Sequence, residues 1–283
     1  MLFRSPYSEE DLEPLAREVI QRQTAVTGVQ AKLSLHITGS NKQGTERRFT
    51  IVGLWGGYIL KPPTAMYPQL PEVEDVTMHL AAVAKIKTAP HSLIRLQSGT
   101  LAYLTKRMDR LKKRKLAMED MCQLTERLTE DKYHGSYEQI GKVIQKYSAT
   151  PGLDVVNFFE LVLFSFLTGN ADMHLKNFSL LEHPEMGMTL SPAYDLINTA
   201  LVNPADEEEM ALTLNGRKKK MRKQDFIAAM NIMKLDERQQ ENIFGKMVKA
   251  YPEWLERIDR SFLSDDYKEK YKITLKERMK RLQ

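Results

Sequence analysis

The sequence predicts an α+β fold of two lobes, in which a small strand-rich N-lobe precedes a larger helical C-lobe. Three observations support this. The first hundred of the 283 residues contain short runs with strand-like alternation, residues beyond 111 contain six segments with helical spacing, and the change of character falls near residues 104–111. We therefore assign residues 1–108 to the N-lobe and 109–283 to the C-lobe, and we expect a ligand site where two such lobes meet.

The N-lobe elements follow from alternation and turn residues. "KLSLHI" (32–37) alternates apolar and polar residues, "TGSNKQGTE" supplies a turn, and "RRFTIVGLWGGYILK" (47–61) resumes the strand pattern up to Lys61. Two prolines then end the strand. Residues 71–88 have an apolar face at helical spacing, with Pro71 at the start. "HSLIRL" and "TLAYLTKRM" predict two further strands in a hairpin.

The C-lobe is predicted to be helical in six segments, because their residue types and their spacing both favour helix. The segments are "MEDMCQLTERL", "SYEQIGKVIQKYS", "LDVVNFFELVLFSFLTG", "KQDFIAAMNIM", "ERQQENIFGKMVKAY" and "DYKEKYKITLKERMKRL".

Composition indicates a soluble protein of the reducing cytoplasm. The only cysteine, Cys122, excludes an intramolecular disulfide, and charges throughout the first thirty residues argue against a signal peptide. The longest apolar run, "VVNFFELVLFSFLTG", is too short to span a bilayer. A net charge of +5 is concentrated in two basic runs, 112–115 and 216–223, which are either solvated loops or a contact surface for an anionic partner.

Two acids and an amide are spaced as phosphoryl transfer requires. Asp172 and Asn177 form D-x-x-x-x-N, and Asp195 follows later in the chain. In such chemistry one carboxylate orients or deprotonates the attacking hydroxyl, while an amide oxygen and a second carboxylate hold Mg²⁺. A lysine at a strand end, with a helix glutamate beside it, completes the set. Lys61 and either Glu74 or Glu72 fill these positions, of which we favour Glu74.

Several familiar nucleotide-binding motifs are absent. The chain has no G-x-G-x-x-G, H-R-D, D-F-G or A-P-E, which excludes an ordinary eukaryotic-type protein kinase, and no Walker A loop, which excludes a P-loop NTPase by motif. Asp172 could also be a turn residue, and Lys61 a lysine that extends towards solvent. The order of Lys61, Asp172, Asn177 and Asp195 along the chain favours the chemical interpretation of both. For His174 we favour a packed neutral imidazole over a transition-metal ligand, because no histidine or cysteine lies at ligand spacing.

Five segments resemble the HipA family of bacterial serine/threonine kinase toxins, over residues 20–240. They are "YILKPP", "KRMDR", "EDMCQL", "GNADMHLKNFSLL" and "SPAYDL". The resemblance implies a bilobal protein-kinase-like fold that uses ATP and Mg²⁺. It implies that Asp172 is the catalytic base, that Asn177 and Asp195 are metal ligands, and that Lys61 contacts the phosphates.

The resemblance also implies the nucleotide site. A phosphate loop at residues 24–32, a hinge at 106–108 and the segment around the catalytic base would supply it. The residues implied are Thr27, Gly28, Val29, Gln30, Ala31, Lys32, Lys61, Glu74, Lys106, Arg107, Met108, His174, Lys176, Asn177, Tyr194 and Asp195.

Two departures from the family pattern shape the expectations. HipA proteins carry a further N-terminal subdomain, and this chain begins almost at the phosphate loop, which resembles the split HipT-type arrangement with a separate small partner protein. Ala25 occupies the position of the family's autophosphorylated serine, so Thr24 and Thr27 become the candidates for autophosphorylation.

The resemblance implies the toxin of a toxin–antitoxin system that arrests growth, with an aminoacyl-tRNA synthetase as its protein substrate. A helix-turn-helix antitoxin is the second expected partner, and DNA would be reached only through that antitoxin. Two alternatives remain: a kinase-shaped, non-catalytic regulator in an antitoxin–operator complex, and a kinase with a lipid or small-molecule acceptor.

Overall fold

A computed structural model describes residues 32–38, 48–51, 56–112 and 114–282. The chain divides into two compact units. The first comprises Met1–Asp75 and Ala89–Arg110, and the second comprises Val76–Thr88 and Leu111–Gln283.

The first unit contains a five-stranded antiparallel sheet. Its strands are β1 (Leu33–Thr38), β2 (Arg48–Ile51), β3 (Tyr58–Lys61), β4 (His91–Arg95) and β5 (Leu101–Lys106), in the spatial order β2-β1-β3-β5-β4. All of them fall on the runs that the sequence predicts as strands. Because Lys61 is the last residue of β3, the pairing register places it opposite Tyr103 of β5.

Helix α1 (Leu70–Val83) ends earlier than the predicted residue 88. Lys85 adopts a left-handed conformation with φ 56°, and the N–H of Ile86 donates to the carbonyl of Ala81 at 2.9 Å. This 6→1 bond is the helix-ending arrangement known as the Schellman motif. The sequence shows no glycine at this position, so the early end carries no obvious signal.

The second half of α1 groups with the second unit. Trp254 donates its indole N–H to the carbonyl of Leu80 at 2.8 Å, and the hydroxyls of Thr77 and Tyr271 lie 2.8 Å apart. The chain changes unit after Arg110, and residues 76–88 group with the second unit.

The second unit is mainly helical. Its described helices are α2 (Met121–Leu124), α3 (Tyr137–Tyr147), α4 (Pro151–Leu167), α5 (Thr199–Val202), α6 (Lys223–Ile232), α7 (Glu237–Asp259) and α8 (Asp265–Lys280). Helix α4 is the centre of the core, since twelve of its residues are buried, among them four phenylalanines. Helices α3, α7 and α8 pack on it.

Short strands complete the second unit. β6 (Arg110–Leu111), at the change of unit, pairs with β7 (Arg114–Lys115). β8 (Met118–Asp120), β9 (Ser179–His183) and β10 (Gly187–Leu190) form a sheet in the order β10-β9-β8. The prediction of helix from residue 118 was wrong in its first three residues, because they pair with β9. Residues 168–178, which carry the predicted catalytic segment, therefore connect the buried helix α4 to β9.

None of the helices among the described residues is long and apolar enough to cross a membrane.

Candidate active site

Lys61 and Glu74 form a buried ion pair in the first unit. Lys61 ends β3, Glu74 lies in α1, and the lysine Nζ is 2.5 Å from the glutamate Oε1. Only 2% and 0% of the two side chains are exposed. The sequence left Glu72 and Glu74 open as partners, and the structure pairs the lysine with Glu74. Because desolvation of two charges offsets most of their attraction, such a pair contributes little to folding stability.

The ring of Tyr103 fixes the lysine from a second direction. Lys61 and Tyr103 are opposite each other in neighbouring strands, and the Lys61 Nζ lies 5.4 Å from the ring centroid. This distance is within the range of a cation–π contact. The ammonium group therefore has a defined position at the end of β3.

The predicted hinge, Lys106–Met108, lies at the end of β5. Lys106 is exposed, and the backbone N–H of Arg107 donates to the carbonyl of Gly57 at 2.9 Å. The Arg107 guanidinium binds both carboxylate oxygens of Asp109 at 3.0 Å, and Arg110 binds the same carboxylate. Burial alone would raise the pKa of Asp109, but the two guanidinium groups outweigh it and hold the pKa below its usual value.

The backbone around Asp172 is held by two asparagine side chains. The Asp172 N–H donates to Asn170 Oδ1 at 3.1 Å, and Asn177 Nδ2 donates to the Asp172 carbonyl at 2.8 Å. Gly169 precedes them at φ 77°, and a Cβ there would lie 2.6 Å from Asn198 Oδ1, so glycine is required. The Asp172 carboxylate itself stays 42% exposed. A rigid backbone thus presents a solvent-accessible carboxylate.

A tyrosine hydroxyl binds that carboxylate. Tyr133 donates to Asp172 Oδ1 at 2.6 Å, and it is the one side chain among the described residues seen to donate a hydrogen bond to this group. The Tyr133 ring stands edge-on to His174, with the centroids 4.9 Å apart. Burial and the hydrogen bond to Asp172 raise the pKa of the Tyr133 phenol, so the hydroxyl remains a donor at neutral pH.

His174 is buried beside this carboxylate. Burial lowers its pKa, although the charge of Asp172 acts in the opposite direction. The imidazole is therefore neutral near pH 7, as the sequence interpretation of a packed histidine expects.

Lys176 and Tyr194 secure the end of the same segment. The Lys176 Nζ lies 2.9 Å from Asp120 Oδ2, while the other Asp120 oxygen accepts the Gln123 N–H and caps α2. The Tyr194 hydroxyl donates to the Lys176 carbonyl at 2.9 Å. Asp195 follows with a left-handed backbone, at φ 53°.

The oxygen atoms of this segment suit a hard cation. The Asn177 amide nitrogen is bound to the Asp172 carbonyl, and the amide oxygen takes no part in that contact. Asp195 supplies a carboxylate whose charge acts on His174 and Tyr194. An amide oxygen and a carboxylate are the ligand types that Mg²⁺ takes from proteins.

The phosphate-loop residues lie mostly outside the described part of the chain. Those predicted residues that cannot be placed are Thr24, Thr27, Gly28, Val29, Gln30 and Ala31. Lys32 is described, and it is exposed directly before β1.

Sequence reasoning missed Tyr133, Asp120 and Tyr103. Tyr133 is 39 residues from Asp172 and Asp120 is 56 residues from Lys176, so no local spacing connects either pair. Tyr103 faces Lys61 because β5 pairs with β3 although α1 and β4 lie between them in the chain, so no local spacing connects this pair either.

Comparisons of sequence identify a family. The model of the HipA-like C-terminal domain matches residues 24–255. "Putative kinase Y4dM" of Sinorhizobium fredii is 34% identical over 210 residues, which cover 70% of this chain and 50% of that protein. A "Putative kinase" of Haemophilus influenzae is 28% identical over 193 residues, which cover 64% of this chain and 54% of that protein. The chain thus spans about half the length of the curated relatives it matches.

Comparisons of structure identify the fold. HipA of Shewanella oneidensis, solved with HipB and operator DNA, matches with a TM-score of 0.71 and 22% identity, over 94% of this chain and 70% of that one. The proinflammatory kinase CtkA of Helicobacter pylori matches with a TM-score of 0.58 and 16% identity, over 80% of this chain and 87% of that one. The fold is therefore the α+β, kinase-like fold of HipA, as the sequence predicts.

Proposed function

The chain belongs to the HipA-like C-terminal domain family, and from that premise we propose that it is an ATP- and Mg²⁺-dependent serine/threonine protein kinase. Its acceptor is a hydroxyl group of a protein. The names of its curated relatives as kinases support the general activity.

The observation that carries the proposal is the buried Lys61–Glu74 pair. A buried ion pair at the end of a strand contributes little to folding stability, so stability alone does not explain why these two residues are present. In protein kinases a strand lysine bound by a helix glutamate contacts the nucleotide phosphates. Lys61, held by Glu74 and by the Tyr103 ring, supplies the same chemistry in this chain.

Asp172 acts on the acceptor. Its exposed carboxylate orients the acceptor hydroxyl and takes its proton as the hydroxyl oxygen bonds to the γ-phosphorus. The bond between that phosphorus and the bridging oxygen breaks, and ADP leaves with the electron pair. The two asparagine contacts to its backbone hold Asp172 in place throughout.

In this proposal Asn177 and Asp195 would hold Mg²⁺. Mg²⁺ bound there would neutralise negative charge on the phosphates. His174, Lys176 and Tyr194 line the nucleotide with the hinge Lys106–Met108. Lys32 belongs to the phosphate loop, and Thr24 or Thr27 is the autophosphorylation site.

We further propose that the kinase is the growth-arresting toxin of a toxin–antitoxin system. The structural neighbour from Shewanella is in a complex with HipB and DNA, which supports a helix-turn-helix antitoxin as partner. An aminoacyl-tRNA synthetase is the proposed substrate, and a small protein resembling the N-terminal subdomain of HipA is the proposed second partner.

Part of the two basic runs is paired within the chain. In the run 216–223, Lys218 and Lys219 pair with Glu208 and Glu207 at 3.3 and 3.1 Å. Arg114 of the other run pairs with Glu182. Other lysines of the runs are exposed, so the preference for a kinase over a DNA-bound scaffold rests on the Lys61–Glu74 pair and not on these runs.

The test is γ-phosphoryl transfer from radiolabelled ATP to proteins of a cell extract, with growth arrest measured in parallel. Asp172→Asn should lower the transfer rate about 10²- to 10⁴-fold, and Asp195→Asn should abolish Mg²⁺-dependent transfer. Asp131→Asn is the matched control, because Asp131 is 47% exposed, close to the 42% of Asp172, and pairs only with His134 among the described contacts. Transfer and arrest that survive both changes would refute the assignment.

The same extract identifies the acceptor class. Label on serine or threonine of a synthetase supports the proposed substrate. Label in the lipid or small-molecule fraction, with unlabelled protein, would instead favour the alternative acceptor.

A further inference from the structure

An apolar groove lies on the second unit, beside the start of α6 and between α7 and α8. Its volume is about 460 Å³, which is within the range of sites that bind ligands. The apolar lining consists of Phe244, Met247, Val248, Tyr251, Met279 and Leu282. None of these residues belongs to the candidate active site.

The groove contains a glycine that the fold does not require. Gly245 lies inside the 23-residue helix α7, and a Cβ added there would meet nothing within 4 Å. A glycine inside a helix costs about 1 kcal/mol relative to alanine. Local violations of helix preference without a packing reason are typical of functional positions. The neighbouring Val248 is 60% exposed, so the apolar surface at this point is open to solvent.

The rim of the groove is positively charged. Lys223, Lys276 and Lys280 line it, and no carboxylate is found among its lining residues. Lys276 and Lys280 are four positions apart on α8, where like charges repel each other. Neither makes an ion pair within the described part of the chain, whereas other lysines of α8, such as Lys268 and Lys270, do.

We propose that this groove binds an acidic amphipathic peptide segment, a helix with apolar side chains on one face and carboxylates on both flanks. The apolar face fills the concave surface above Gly245, and the carboxylates pair with the three lysines. A second copy of the chain fits poorly, because a twofold contact would bring the same lysines together. A concave surface also suits a helix better than a flat membrane.

The probe is a designed fluorescent peptide of about 16 residues, with leucines on one helical face and glutamates flanking them. Its binding is measured by anisotropy, with a scrambled peptide of the same composition as reference. The ε-methyl NMR signals of Met247 and Met279 report the location. We expect at least about tenfold tighter binding than the scrambled peptide, with shifts of these two signals.

Two kinds of substitution test the shape of the groove and its charge separately. Gly245→Phe adds a ring to the groove at a position where a Cβ meets nothing within 4 Å, and we expect it to weaken binding at least about tenfold. Gly152→Phe is the matched control, since Gly152 is also a helical glycine with nothing within 4 Å of its Cβ position and lies outside the groove. The double substitution Lys276→Glu and Lys280→Glu should weaken binding of the acidic peptide and strengthen binding of a peptide in which lysines replace the flanking glutamates.

Other outcomes overturn the proposal. Equal binding of the scrambled peptide, or binding unaffected by Gly245→Phe, would show that the groove is not the site. Binding to phosphatidylserine vesicles that Gly245→Phe abolishes, without peptide binding, would assign the groove to a lipid surface. Self-association that the same change abolishes would assign it to a second copy. Kinase activity is not measured in any of these assays, so the proposed function stands or falls separately.

Discussion

Replacement of Tyr133 by phenylalanine should slow phosphoryl transfer without weakening nucleotide binding. The change removes the hydroxyl that donates to Asp172 at 2.6 Å. It keeps the ring, and therefore the edge contact with His174 and the stacking of Lys132, whose Nζ is 5.0 Å from the ring centroid. The Asp172 carboxylate then loses the contact that orients it, while the backbone contacts remain.

The magnitude follows from the exposure of the two partners. A hydrogen bond to a charged group contributes about 1.5–3 kcal/mol when it is protected from water. Tyr133 is 40% exposed and the Asp172 side chain 42%. Because both groups are partly exposed, we assign this hydrogen bond about 1 kcal/mol of transition-state stabilisation, which corresponds to a roughly fivefold lower kcat. The KM for ATP should not change.

The assay is the initial rate of γ-phosphoryl transfer over a range of ATP concentrations. Tyr147→Phe is the control, because Tyr147 is 44% exposed and also lies beneath the preceding lysine, at 4.7 Å. In an Asp172→Asn background the loss of the Tyr133 hydroxyl should cost nothing further. An unchanged or faster kcat in Tyr133→Phe would mean that this hydroxyl competes with the acceptor and does not position the carboxylate.

Three further predictions concern stability, measured by calorimetry. Burial and two neighbouring glutamates raise the pKa of Asp75 to about 7. Between pH 4 and 7 the folded state therefore keeps a proton on this carboxyl that the unfolded state releases. The free energy of unfolding falls as the pH rises through this range. In Asp75→Asn the decrease in the free energy of unfolding between pH 4 and 7 should be smaller by up to about 4 kcal/mol. The same pH dependence in the variant and in the original chain would contradict this prediction. Gly245→Ala should stabilise by up to about 1 kcal/mol, whereas Gly141→Ala should stabilise less, because the new Cβ would lie 2.6 Å from Met233 Sδ and must displace that side chain; an equal or larger gain at Gly141 would contradict this pair. Trp254→Phe should cost about 2–3 kcal/mol, since the buried indole also donates a hydrogen bond to α1, and a loss below 1 kcal/mol would mean that the site repacks.

Elements with local signals were predicted well. Helices α3, α6 and α8 begin and end within about two residues of the predicted segments, and the strand that ends at Lys61 is followed by the two prolines that predict its end. In each case the signal is periodicity, a cap or a proline, all of which act within a few residues.

Features that depend on distant partners could not be predicted. Residues 118–120 have helical preference, but they pair with β9, some sixty positions later in the chain. The length of α7 was underestimated because Pro252 lies inside the helix, where a proline usually indicates an end. For the candidate site, the sequence predicts Lys61, Asp172 and Asn177 by order and type, and these remain predictions, whereas the contact of Tyr133 with Asp172 depends on the fold.

The carboxylate of Asp120 serves two structures at once. One oxygen caps the start of α2, and the other holds Lys176. An asparagine could still accept the backbone N–H of the cap, but it would carry no charge for the lysine. One substitution at this position would therefore disturb the start of a helix and the place of a lysine ammonium group at the same time.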